Sequence, residues 1–419
     1  MILKNVPRYD MARRPMRQRW YLRPLTWLLS YPEVRKHHLK VNKVKMEGLK
    51  PPYILLCTHH AFIDFKVTTA ALFPHPANYV VAIDGFIKRE WLLRKVGCIC
   101  KRKFTNDITL VKQIKHSLEV NKTVVAIYPE ARYTLAGTTA ILPDSLGKLV
   151  KLFQYPVVVL NMHGDYLSQP VWNLAKRKVP IMADMTQIIT KDEIASLSVG
   201  EVNHRIHEAF VYDEYKWQRD NNIHIDFPQR AEGLHRVLYQ CPHCLTEHEM
   251  DSKDDELWCN HCNKHWKMDT LGELHATEGP TEFTHIPDWY EFERANVRKQ
   301  LEAGTYRFSD RVVVDALPNA NGYIRLGEGH LTHDEQGFHL TGFFDGEDFT
   351  LHKDPLSLYS LHIEYDYLGK WGDCIDLSTL EDTFYIYPQT KHNVVTKLHF
   401  ATEELYKIVR ERKLAEEHK

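Results

Sequence analysis

The run Thr58-His59-His60-Ala61-Phe62-Ile63-Asp64 sets an imidazole and a carboxylate at the spacing His-x4-Asp. A carboxylate beside a histidine fixes the ring tautomer and raises its basicity, which is what a general base needs. The chain holds 25 histidines, so about one such pairing is expected by chance. Its position gives it weight. The apolar run Tyr53–Cys57 reads as a strand, and Asp64 stands where the next helix begins, so a turn would fold the two side chains together. The structural alternative is a packing histidine with Asp64 as a helix N-cap.

Two further segments carry charge in a similar position. Gly97-Cys98-Ile99-Cys100-Lys101-Arg102-Lys103 is a glycine, a short strand and a basic cluster. Tyr128-Pro129-Glu130-Ala131-Arg132 follows the strand-like run Thr123–Ile127. Each lies at the carboxyl end of an expected strand, the edge at which α/β sheets bind ligands. One rim therefore offers a base, carboxylates and cations, although short basic runs are more often simply solvated. Cys57 ends a buried-looking strand and reads as packing rather than as a nucleophile.

In this order the three blocks resemble the glycerophosphate/lysophosphatidate acyltransferases over about residues 50–195, helped by Ser145-Leu-Gly-Lys148-Leu and Pro156-Val-Val-Val-Leu160. The resemblance implies acyl transfer from acyl-CoA or acyl carrier protein (acyl-ACP) to a glycerolipid hydroxyl, with a lysophospholipid, lysophosphatidate foremost, as acceptor. His59 would be the base and Asp64 its orienting partner. The acceptor oxygen would attack the thioester directly, without an acyl-enzyme. Lys101, Arg102, Lys103 and Arg132 would hold the acceptor phosphate, and Glu130 would orient the acceptor or Arg132. The blocks depart from the family pattern at Thr58, where Asn is common, at Lys103, where the block usually ends in Arg, and at Ala131, where Gly is usual.

Cys241-Pro-His-Cys244 and Cys259-Asn-His-Cys262 form two C-x2-C knuckles. Four thiolates at this spacing suit a closed, tetrahedral, structural Zn²⁺ site, that of a zinc ribbon. Residues 245–258 hold six acids against Lys253 alone. Phosphate binding needs the opposite sign, so no nucleic-acid partner is expected.

These motifs need a scaffold. Strand-like and helical runs alternate over 51–195, which predicts an α/β domain with a mixed, largely parallel central sheet flanked by helices. Residues 1–50 form a basic aromatic arm, in which Pro15, Pro24 and Pro32 should keep any helix short. Residues 196–240 read as a helical linker with helices over 202–212 and 230–239, 241–275 as the zinc ribbon, and 276–303 as a helical connector. In 304–419, strand-like runs separated by Asn321-Gly322, Glu335-Gln-Gly337 and Asp345-Gly346 precede one last helix. That order resembles a pleckstrin-homology (PH) or GRAM-like β-sandwich with a closing helix.

The formal net charge of -1 hides an asymmetry. Residues 1–49 carry twelve Lys/Arg against three Asp/Glu, whereas 305–399 carry seven against fifteen. Trp20, Tyr21, Trp27 and Tyr31 interleave with arginines in the arm, as in segments lying at a lipid headgroup surface; packing on its own domain is the alternative. The acidic end is expected to meet protein or its own chain rather than anionic lipid. No run of 18 apolar residues and no signal-peptide core is present. The expectation is a cytoplasmic protein, peripheral to the cytoplasmic face of a membrane. The competing reading is a non-catalytic lipid-binding or scaffolding protein built on the same shell.

Overall fold

The computed structural model describes residues 2–369 and 372–417. Its first layer is a seven-stranded sheet with the order β1-β7-β6-β2-β5-β3-β4. The strands are β1 (Lys40–Val44), β2 (Ile54–Cys57), β3 (Ala77–Ala82), β4 (Ile99–Lys101), β5 (Val124–Ile127), β6 (Val157–His163) and β7 (Met182–Ile189). Only the β6–β7 pair is antiparallel. The central strands β2 and β5 are apolar along their whole length because both faces are covered. Leu55 and Cys57 of β2 join one core with Val34 of α1 (Arg23–Lys36) and Val67 of α2 (Asp64–Ala71). Beyond α3 (Glu90–Val96), the opposite face is taken by α4 (Ile108–Glu119) and α5 (Ser145–Phe153). Ile54 and Leu56 meet Ile114 and Leu118 of α4 and Val150 of α5 there.

Short helices follow: α6 (Asp165–Ser168), α7 (Lys191–Ser196), α8 (Val199–Ala209) and α9 (Glu214–Asp220). Helix α8 fulfils the first half of the helical reading of 196–240. Residues 230–239 do not form the expected helix beyond a single 3-10 turn at Leu234–Arg236. Gly233 there has φ +91° and its Cα faces the Trp172 carbonyl. Ala231, Leu234, Val237, Leu238 and Tyr239 are all buried, so the segment is enclosed on all sides and has no helical stripe to present.

The Cys-rich segment is a four-stranded antiparallel sheet: β8 (Met250–Lys253), β9 (Glu256–Cys259), β10 (His265–Met268) and β11 (Leu274–Ala276). Helix α10 (Ile286–Glu302) packs on it through Trp289, whose ring lies 5.0 Å from that of Trp266.

The C-terminal domain is a second seven-stranded sheet, fully antiparallel, ordered β15-β14-β13-β12-β18-β17-β16. Its strands are β12 (Phe308–Leu317), β13 (Ile324–Asp334), β14 (Gly337–Phe344), β15 (Glu347–Lys353), β16 (His362–Glu364), β17 (Cys374–Ser378) and β18 (Thr383–Pro388). The ten-residue β12 pairs with β13 on one side and β18 on the other. It thus joins both layers of the expected sandwich into one sheet, which curls until Phe349 of β15 meets Phe384 of β18 at 5.2 Å. The closing helix is α11 (Val395–Glu417).

Two features of the arm differ from the sequence reading. Helix α1 runs 14 residues straight through Pro32. Pro32 deprives only the Leu28 carbonyl of its partner, and Leu28 is exposed, so water can take that place. Strand β1 lies inside the arm yet pairs in parallel with β7 as a sheet edge. The segment before α1 packs against the C-terminal domain, with Tyr9 N–H donating to the Pro318 carbonyl at 3.0 Å and Arg8 pairing with Asp382 at 2.9 Å.

Candidate active site

Strand β2 delivers His59 to the sheet edge, and α2 begins at Asp64. His59 Nδ1 lies 3.0 Å from Asp64 Oδ2. With Nδ1–H donated to the carboxylate, the free lone pair is on Nε2. Asp64 also accepts the backbone N–H groups of His60 at 2.7 Å and Ala61 at 3.1 Å. Three N–H donors, two of them backbone groups just before α2, hold one carboxylate in place.

Glu130 braces the same loop from beneath. Its Oε2 accepts the His59 backbone N–H at 2.7 Å, and its Oε1 accepts Tyr212 Oη–H at 2.8 Å and Ala140 N–H at 3.1 Å. It is fully buried and orients the histidine's backbone rather than a ligand. The imidazole sits between the rings of Tyr128, 4.5 Å away, and Tyr133, 4.3 Å away. It is 17% exposed and opens onto a cavity of about 1010 Å³. Burial, with His60, His362 and Lys103 nearby, pushes its pKa down to about 3. His59 is therefore neutral at neutral pH and can take a proton.

Behind the pair lies a group that the sequence did not single out. His60 Nδ1 is 2.9 Å from Asp165 Oδ1, and His163 Nδ1 is 2.8 Å from Glu214 Oε1. His60, Asp165 and Glu214 are fully buried, with ligand-type atoms within 4.8 Å of one another. Burial alone would lower His60, but Asp165, Glu214 and Asp64 outweigh it and carry its pKa up to about 10. Burial and the Asp165 carboxylate in turn push Asp64 upward. That makes Asp64 the stronger acceptor for the His59 N–H. The sequence signal was available in Asp165, which follows the carboxyl end of β6. Glu214 lies in a distant helix and gave none.

The expected cations scatter. Lys101 and Lys103 line the cavity. Arg102, between them, points to the other side of the extended chain. It donates to the carbonyls of Leu317 at 2.8 Å and Pro318 at 2.9 Å, and to Thr383 Oγ1 at 3.1 Å. That takes it out of the cavity and makes it a fastener for the C-terminal domain. Arg132 reaches the cavity wall, but its Nη2 is 3.2 Å from Glu403 Oε1 of α11. Ala131 beside it has φ +56°, a left-handed conformation that costs a non-glycine residue roughly 1–2 kcal/mol. Cys57 is buried and burial raises its thiol pKa, which leaves it inert.

Residues 33–163 match the acyltransferase family model. The α/β unit is an acyltransferase domain. The match runs from within α1 to the end of β6, so the acyltransferase segment includes β1 and all three sequence blocks. Among the curated proteins none matches this chain. Among solved structures, that of PlsC, the 1-acyl-sn-glycerophosphate (LPA) acyltransferase of Thermotoga maritima, is similar at 11% identity and a TM-score of 0.38. The similarity covers 45% of this chain and 77% of that one. The acyltransferase domain is followed by additions of its own: the Cys-rich sheet, α10 and the C-terminal sheet.

Cys241, Cys244, Cys259 and Cys262 converge as one cluster. Cys241 Sγ is 3.7 Å from Cys262 Sγ, and Cys244 Sγ is 3.7 Å from Cys259 Sγ. A tetrahedron with metal–sulfur bonds of about 2.3 Å has edges of about 3.8 Å, so the donor set has the size of a zinc–thiolate site.

Proposed function

We propose that the protein is a glycerolipid O-acyltransferase using acyl-CoA or acyl-ACP as donor. The observation that carries this reading is the His59–Asp64 pair, oriented by its hydrogen bond and opening onto a largely apolar cavity with the volume for an acyl chain. His59 Nε2 takes the proton of the acceptor hydroxyl as its oxygen attacks the thioester carbonyl. The new C–O bond forms, the C–S bond breaks, and the proton passes to the departing thiolate. Asp64 stabilises the transient imidazolium. Arg89, Lys101 and Lys148 line the cavity and make no ion pair among the described residues; they are the cations left for the phosphate of the donor's pantetheine arm.

The Cys cluster is assigned to a structural Zn²⁺. Four thiolates close the coordination shell, so the metal would hold the small sheet together and leave the chemistry to His59. The arm is assigned to the membrane surface on the cytoplasmic side. Trp20, Tyr21, Leu25, Leu28 and Leu29 are exposed beside the exposed Arg13, Arg14, Arg17 and Arg19, and Leu29 reaches the cavity rim. Among the described residues no helix is long and apolar enough to cross a membrane.

The test is transfer of a labelled acyl chain from each donor to a panel of glycerolipid acceptors, lysophosphatidate included. The expected result is ester product with wild type and none with folded His59→Ala. Wild-type protein that binds lipid but transfers nothing would overturn the reading.

A further inference from the structure

The polar end of the cavity is shared between two domains. His362, Glu364 and Tyr367 of the C-terminal domain line the same cavity as His59, Asp84 and Lys103. Lys103 Nζ lies 3.1 Å from Asp84 Oδ2 and 3.2 Å from Asp376 Oδ2. It is also 3.1 Å from His362 Nε2. His362 in turn is 2.9 Å from Asp376 through Nδ1 and 3.5 Å from Glu364 through Nε2. Three carboxylates therefore surround one lysine and one imidazole.

This arrangement bears on what the acceptor carries. A phosphate monoester brings close to two negative charges. To reach Lys103 it must displace Asp376, whose side chain is 1% exposed and fixed in β17. To reach Arg132 it must displace Glu403, which is fully buried and also held by Arg294. It would arrive beside Asp84 and Glu364, which repel it. Burial opposes the charge on Lys103, but Asp376, Asp84 and Glu364 outweigh it and raise its pKa, so the lysine is already satisfied. An uncharged polyol meets the opposite situation. Its hydroxyls can donate to Asp84 and Glu364 and accept from Lys103. Its carbon face can lie on Tyr133 or Tyr367, which line the cavity.

We propose that the junction of Asp84, Lys103, His362 and Glu364 is the acceptor-headgroup subsite, and that it takes an uncharged hydroxylated headgroup, a glycerol or sugar carried on an acyl chain, in preference to a phosphate monoester. The proposal rests on the acyl-transfer reading above. The C-terminal domain is then a specificity wall of the active site.

The experiment measures kcat/KM with palmitoyl-CoA and three acceptors: monoacylglycerol, a monoacyl glycosylglycerol and lysophosphatidate. His59-dependent release of free thiol is followed in parallel. The expected result is at least a tenfold preference for an uncharged acceptor. Glu364→Gln should reduce that preference through KM with little change in kcat. Asp376→Asn, which removes one of the two carboxylates paired with Lys103, should raise the lysophosphatidate rate relative to the other two, and thermal unfolding identifies any variant that fails to fold. Preference for lysophosphatidate, unmoved by Glu364→Gln, overturns the headgroup assignment and leaves acyl transfer standing. No transfer to any acceptor, with no His59-dependent thiol release, overturns the acyl-transfer reading and this assignment with it.

Discussion

The near wall of the cavity and its far wall are built on different length scales. In the near wall, His59 and Asp64 are separated by one tight turn, and Asp64 is held by backbone N–H groups of that same turn. In the far wall, Lys103 and Arg132 take their partners from residues 273 and 271 positions away. Local pairing sets the geometry of the reacting groups within a single turn. Long-range pairing makes the headgroup subsite conditional on domain docking. Acid–base chemistry and acceptor choice should therefore respond separately to perturbation.

Removing the proposed Zn²⁺ is expected to separate the two walls most strongly. Closed zinc–thiolate sites contribute about 10–16 kcal/mol of apparent binding free energy. Chelation, or Cys259→Ser, should loosen the Cys-rich sheet and the α10 and α11 contacts beyond it. Hydrogen exchange should show protection lost over residues 241–303 and in α11 before it is lost in β2 and β5. Simultaneous loss everywhere would make the two walls one cooperative unit.

His59→Ala should lower kcat by roughly 10²–10⁴-fold, the usual contribution of a positioned base. It should leave the unfolding midpoint within a few degrees of wild type. A large fall in stability would mean that the near wall depends on this ring for more than its chemistry.

Breaking Arg132–Glu403 should do the reverse. Glu403→Gln leaves the buried Arg132 without its carboxylate and removes one of the three that Arg294 meets, and breaking a buried pair costs about 3–5 kcal/mol. Thermal unfolding should register it, while His59-dependent thiol release persists below the new midpoint.

The walls also differ in their response to pH. Burial pushes His333 and His399, both in the C-terminal domain, down to about 3. Their unfolded pKa is about 6.5, so the unfolded state binds more protons and stability falls as pH drops below 6.5. Each contributes a loss of about 2 kcal/mol at pH 5. His59 adds to that trend, but His60 runs the other way. Raised to about 10, it stabilises fully below pH 6.5 and ceases to do so as pH climbs through 10. Acid should open the far wall first, and alkali should weaken the near one; tryptophan fluorescence and exchange rates across pH 4–10 would follow both. The smallest effect belongs to Ala131→Gly, which relieves the left-handed backbone under the near wall. A stability gain of up to about 1 kcal/mol is expected, read by denaturant midpoint.

The same contrast in range explains what could be read from the amino acids. The β2–His59–Asp64 turn and the β5–Glu130 corner were legible because buried parallel strands are continuous apolar runs that end abruptly in polar residues. Strand β1 was not, since four of its five residues are exposed on a sheet edge and leave no alternation. The roles of Arg102, Lys103 and Arg132 were illegible for a stronger reason. A basic cluster looks the same whether a ligand or a distant carboxylate will meet it, and only the docking of β17 and α11 decides. His60 was overlooked because the motif drew attention to its neighbour, although its partner Asp165 follows the same sheet-edge rule.

The ion pair between Arg132 and Glu403 also sets a clock. The two residues are 271 positions apart, and ribosomes add about 5–20 residues per second, so roughly 14–54 s separate the emergence of one from that of the other. During that interval Arg132 lacks its carboxylate, Lys103 has Asp84 but not Asp376, and the cavity lacks one side. Whatever folds first must do so with an open cationic edge facing the ribosome's own anionic surface. Acceptor choice thus waits on the emergence of α11, whose glutamate completes the far wall.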